Sequence, residues 1–184
     1  ILERDSKLLL LGLIGLLTLL LGVVANLFTD QLGSASAYLM PIAINAVLVT
    51  ILLDDRLALL QSVLIALLTG LFAATDQLSH SLVAVVGSVV AVYSVAKVES
   101  RGDLYRAGLY VGLANAVTIL ALYLAHSASL LDWHVWRDVG VGALNGLLVA
   151  VLATGALPFF EILFGVVTPL KLLELSNPNH PLLK

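Results

Sequence analysis

Six long apolar runs, each closed by a short polar stretch, limit what this chain can fold into. They cover residues 8–28, 38–53, 57–75, 82–96, 107–125 and 139–164. A helix needs about 20 residues to cross roughly 30 Å of hydrocarbon. Only helices and closed barrels satisfy their backbone groups in lipid. None of these runs alternates apolar with polar residues as a barrel strand does. Composition agrees: 60% of residues are hydrophobic and 11% charged, against about 25% charged in an ordinary soluble domain. Mean hydropathy is +1.07. A water-soluble globule is excluded, and so is a disordered tail, which needs low hydrophobicity and high charge. The expected fold is all-α, a polytopic membrane bundle of six transmembrane helices over residues 1–165, followed by a juxtamembrane linker over 166–184. Glu3, Arg4, Asp5 and Lys7 precede the first run. That run is too long for a signal-peptide core and lacks a small-residue cleavage site, so it reads as a genuine span. Ile1 in place of an initiating Met suggests a piece of a longer protein.

The basic residues orient the bundle. Assigning the gaps to alternate sides puts Arg4, Lys7, Arg56, Lys97, Arg101, Arg106, Lys171 and Lys184 on one side and only Arg137 on the other. Basic residues favour the cytoplasmic side, so both termini are expected to be cytoplasmic in a bacterial plasma membrane. Trp133 and Trp136 fall in the last outer loop, where interfacial aromatics belong. Pro158 interrupts the last run and predicts a kink there, or a span followed by an interfacial helix.

Net charge is −3 and there are no cysteines. Nucleic acid is not an expected partner, because its binding needs a basic surface. Thiolate metal sites and cysteine nucleophiles are absent. His80, His126 and His134 fall in expected outer loops and His180 lies near the C-terminus, with no H-E-x-x-H, P-loop or G-x-S-x-G pattern anywhere. No catalytic residue, metal ligand or cofactor is therefore expected within the chain.

Small residues recur every fourth position: Gly108, Gly112 and Ala116; Gly142, Gly146 and Ala150; Ala84 and Ser88, with Gly87 and Ala91 one position along. Such grooves let helix backbones approach closely. Packing within one bundle is the readier use, and a homodimer the other. The first span, rich in leucine, reads as more lipid-facing than the rest.

Few polar side chains lie at membrane depth, and each needs a reason. Asn45, Asn115 and Asn145 fall in the second, fifth and sixth runs at similar depth. They suit either interhelical hydrogen bonds, at about 0.6 kcal/mol each, or a small polar pocket; the first is the plainer use. Gln61 lies near the inner end of the third run and could reach the interface. Glu161 is the one acidic residue inside an apolar run. An ion pair with Arg56, Arg101 or Arg106 at the inner boundary is its readier role, and a proton- or cation-linked switch the sharper one.

The C-terminal stretch changes character. Thr168-Pro169 starts a short helix with proline at its first position, and Ser176-Asn177-Pro178 stops it. Leu157, Pro158, Glu161, Leu163, Phe164, Gly165 and Thr168, followed by the string LLELSNPNHPLL at residues 172–183, resemble the seven-transmembrane receptors with an intracellular HD hydrolase domain. RDSKLLLL at residues 4–11 and the region around Pro41 are weaker matches. The resemblance implies an extracytoplasmic sensor, seven spans, of which this chain would hold the last six, and a cytoplasmic HD phosphohydrolase. It further implies hydrolysis of cyclic di-AMP on a divalent metal pair held by His and Asp residues beyond Lys184. On this reading the chain is a signal-transducing and anchoring module, and not itself an enzyme. Its partners are the bilayer and its own sensor and hydrolase domains. Glu174, Ser176, Asn177, Pro178, Asn179, His180 and Pro181 would form the coupling linker. A small six-helix transporter, or the substrate-binding component of a permease, is the alternative, and it calls for a sizeable polar pocket between helices.

Overall fold

The computed structural model describes residues 4–26, 35–71, 77–98, 100–127, 131–166 and 172. All regular structure among them is helical: α1 (Arg4–Asn26), α2 (Ala35–Tyr38), α3 (Ala43–Leu52), α4 (Asp55–Leu71), α5 (Gln77–Val95), α6 (Arg101–Ala125) and α7 (Trp133–Phe164). Four are long and apolar enough to cross a membrane: α5, α6, α7 and residues 4–25 of α1.

The second apolar run does not form one helix. It breaks between Tyr38 and Ala43. Pro41 has no amide hydrogen to continue the ladder and pushes Met40 out of helical conformation. The piece beyond the break, α3, has 10 residues, so it extends only about 15 Å. It is buried on nearly all sides: Ala43 to Val49 and Leu52 are buried, and Thr50 and Ile51 are half-buried. A helix that is apolar all round sits in the core. Accordingly α3 packs against α1, α4, α5 and α7. Its side chains join Leu10, Ile14, Leu104, Val111, Val149, Leu157 and Phe160 in the largest apolar cluster. A smaller cluster of Tyr38, Val83, Ile119 and Val141 lies towards the Trp133 end of α7.

α6 and α7 run antiparallel along a seam of small residues, which is how helices associate where lipid offers no hydrophobic driving force. A Cβ on Gly108 would stand 2.6 Å from the Gly146 carbonyl oxygen, and one on Gly112 would stand 2.5 Å from that of Ala143. A Cβ on Gly146 would strike the backbone of both Gly108 and Gly112. The glycine stripes of both helices are thus consumed within the bundle. α1 is joined differently. Gln61 reaches across from α4 and donates from Nε2 to the Leu11 carbonyl at 2.8 Å, its amide lying where a side chain on Gly15 would be. The outward face of α1 carries Leu8, Leu9, Leu16, Leu20 and Val23, all well exposed, as a lipid-facing surface should be.

Cap residues start α6 and α7 six residues before their apolar runs. Ser100 and Asp103 form a capping box, the Ser100 amide donating to the Asp103 carboxylate at 2.9 Å. This box extends α6 back to Arg101. The Asp103 carboxylate also lies 3.7 Å from Arg106. Asp132 caps α7 by accepting from the His134 amide at 3.0 Å. At the other end α7 passes through Pro158 and stops at Gly165, whose φ of 62° is left-handed. Glycine accepts that conformation without strain. α7 is therefore one helix of 32 residues, about 48 Å long, and exceeds the roughly 30 Å hydrocarbon core. The expected short helix after Thr168 and the linker residues Glu174 to Pro181 lie outside the described residues.

Candidate functional site: the broken helix and its polar cavity

The break in the second run takes the Tyr38 and Met40 carbonyls out of the helical ladder, and of the two Met40 alone keeps a local backbone partner, the Ile42 amide at 2.9 Å. Such groups need one in a membrane interior. α7 supplies it. Asn145 Nδ2 donates to the Tyr38 carbonyl at 2.8 Å and to the Met40 carbonyl at 2.9 Å. Two acceptors on one side fix which way the amide points, so its Oδ1 is turned away from the break. Asn115, on α6, directs Nδ2 to the Gly142 carbonyl of α7 at 3.5 Å. Its Oδ1 lies in the notch left by the missing side chain of Gly87, where a Cβ would stand 2.5 Å away.

Asn115 and Asn145 line one cavity of about 20 Å³, together with Tyr38, Met40, Thr69 and His80. Tyr38 and His80 stack there, ring centroids 4.4 Å apart at an interplanar angle of 19°. Asn45 is not among the lining residues. It donates to Ser62 Oγ of α4 at 3.0 Å and so fastens α3 to its neighbour. The structure therefore brings two of the three amides together and gives the third its own partner. Glu161 sits half-buried in the last turn of α7, next to Phe160. No group of three His, Asp or Glu side chains that could hold a metal occurs among the described residues.

One site residue was hidden at the sequence level. Asp138 reads as part of an outer loop, yet its early-capped helix buries it completely. Arg137 donates to Asp138 Oδ1 from Nε at 3.0 Å and from Nη2 at 2.9 Å. The Tyr123 hydroxyl of α6 donates to Oδ2 at 2.6 Å. The cluster locks α6 to α7 one stretch beyond the cavity. A heptad pattern was its signal, because Val135, Asp138, Gly142, Asn145 and Val149 fall on one stripe of α7 and all are buried. Replacing Asp138 with Asn keeps its size but takes the carboxylate charge away from all three of these bonds. A stability loss of about 1.5–2 kcal/mol is expected, read as a lower unfolding midpoint in detergent. An unchanged midpoint would show that the cluster does not hold the helices together.

Comparison with known proteins decides the family. The pattern of the family described as 7TM receptor with intracellular HD hydrolase matches residues 1–168. The chain belongs to that family. It is 31% identical over 190 residues to the cyclic-di-AMP phosphodiesterase PgpH of Bacillus subtilis, an alignment covering 98% of this chain and 26% of that protein. It is 31% identical over 166 residues to the PgpH of Listeria monocytogenes, covering 90% of this chain and 23% of the relative. An uncharacterized Synechocystis protein, slr0104, is 34% identical over 131 residues, covering 70% and 16%. The chain thus spans about a quarter or less of the length of the curated relatives it matches. No solved structure matches it. As a member of this family, and with four helices able to cross a bilayer, the chain is a membrane protein.

Proposed function

We propose that this chain is the signal-transmitting membrane region of a membrane-bound HD phosphohydrolase whose intact form hydrolyses cyclic di-AMP. The observation that carries this reading is the 31% identity to a cyclic-di-AMP phosphodiesterase along 98% of the chain. The apolar runs cross a bacterial plasma membrane six times with both ends cytoplasmic, as the eight-to-one division of basic residues supports. Residues 166–184 lead to the hydrolase domain, where His and Asp residues would hold the divalent metal pair that carries out phosphodiester hydrolysis.

α7 is the element suited to transmission. It carries the Asp138 cluster near one end, grips the helix break through Asn145 in its middle, and bears Glu161 in its last turn before Gly165. A stiff helix shifted at one end passes that shift to the other. The signal can bias the hydrolase only by the difference in free energy between two packings, typically about 1–3 kcal/mol. The size of the polar cavity, about 20 Å³, does not favour the transporter alternative, since metabolite pockets are roughly 300–1,000 Å³.

The test compares four forms of the intact protein in lipid vesicles. The native bundle and an unrelated membrane anchor are each joined to the hydrolase, with and without the extracytoplasmic region. Cyclic di-AMP hydrolysis is expected in all four. Removing the outer region should change the rate only where the native bundle is present. Equal rates in both native-bundle forms would reduce the bundle to an anchor. Replacing Glu161 with Gln should shrink that difference if Glu161 is the switch and leave it intact if it is not.

A further inference from the structure

The cavity beside the helix break contains two acceptors that the protein leaves without donors. Asn145 Oδ1 and Asn115 Oδ1 are both buried and have no hydrogen-bond partner. The two residues are only 6% and 3% exposed. Asn145 gives both amide hydrogens, to Tyr38 and Met40, and Asn115 gives one to Gly142. Neither amide can turn to relieve its oxygen without abandoning a backbone carbonyl. A buried acceptor left in that condition is costly. Both residues line one space, which suits a species that can donate two hydrogens.

Size and charge narrow that species. The space is about 20 Å³, and one water needs roughly 10–15 Å³ on the same measure. A metabolite does not fit. No carboxylate lines the cavity, and the buried Asp138 is already paired with Arg137 and Tyr123. A cation would be buried there with no opposing charge, at high cost. Gly87 keeps the space open, because any side chain there would press on Asn115 Oδ1.

We propose that this cavity is a binding site for a single ordered water, which donates its hydrogens to Asn115 Oδ1 and Asn145 Oδ1. The water joins α6 and α7 beside the break in the second run, and α7 in turn holds the carbonyls of that break. The break thereby becomes a hydrated joint. Its backbone groups can exchange partners with water at hand instead of meeting lipid, where an unpaired group is costly.

The test is a structure of the intact protein in a lipidic phase, at a resolution that orders water, from parallel samples in sodium and rubidium salts. The expected result is one density peak within hydrogen-bond distance of both amide oxygens. It should be the same in the two salts and show no anomalous signal at the rubidium edge. An empty cavity overturns the proposal. So does a rubidium signal, which would mean a monovalent cation, and so does density larger than one water. Replacing Asn115 with Leu should abolish the peak while Asn145 keeps its two carbonyls; a peak that persists also overturns it.

Discussion

Replacing Gly146 with leucine is expected to separate α7 from α6 and lower stability by about 3 kcal/mol, the upper part of the usual cost of overpacking. Even alanine should cost about 1–2 kcal/mol there. The reason is what the new atom meets. A Cβ on Gly146 strikes the Gly108 carbonyl and the Gly112 backbone, and backbone cannot rotate aside as a flexible side chain can. The contrast lies on the same helix. Around Gly155 nothing comes within 4 Å of a Cβ, so Gly155→Ala should be neutral or stabilising by up to about 1 kcal/mol through helix propensity. Thermal unfolding of the three variants in one detergent checks this. If Gly146→Ala and Gly155→Ala behave alike, the glycine seam is not what holds these helices together.

Asn145→Leu should cost about 1–3 kcal/mol, because the Tyr38 carbonyl loses its donor, while that of Met40 keeps the Ile42 amide at 2.9 Å. This exceeds the usual worth of an interhelical hydrogen bond in lipid, about 0.6 kcal/mol. The difference is that the Tyr38 carbonyl stands at a break, where the Ile42 amide turns to Met40 instead. Asn45→Leu is the control, since Asn45 makes one side-chain bond to Ser62 and should lose only about 0.6 kcal/mol. Amide hydrogen exchange gives a local readout. In Asn145→Leu it should accelerate at Ile42, Ile44 and Asn45, the amides of the turn after the break. Equal protection in both variants would remove the special role of Asn145.

The helical class and the membrane setting were legible in the sequence because they follow from local quantities. Apolar run length, the scarcity of charges and the bias of basic residues each act on a short stretch of chain. The use of the glycine stripes was partly legible, since four-residue spacing announces a close helix contact without naming the partner. The extra turns of α6 and α7 were less so. Ser100, Asp103 and Asp132 are cap residues, but they lie in polar stretches where loops compete for the same residue types. Asp138 was misplaced for that reason, although its stripe with Val135 and Asn145 was there to be counted.

What the sequence determined by itself is that this chain is an all-α membrane protein whose resemblance, along nearly its whole length, is to receptors with an intracellular HD hydrolase. Tertiary structure alone decided what its few polar groups do. Pro41 announces a break, but which side chain closes it depends on a residue more than a hundred positions away. Asn145 meets that break only because Gly108, Gly112 and Gly146 let α6 and α7 approach and hold α7 against the buried half-helix α3. An amide in an apolar run carries no record of its partner. The partner is set by how helices cross, and that is a property of the packed bundle rather than of any one segment.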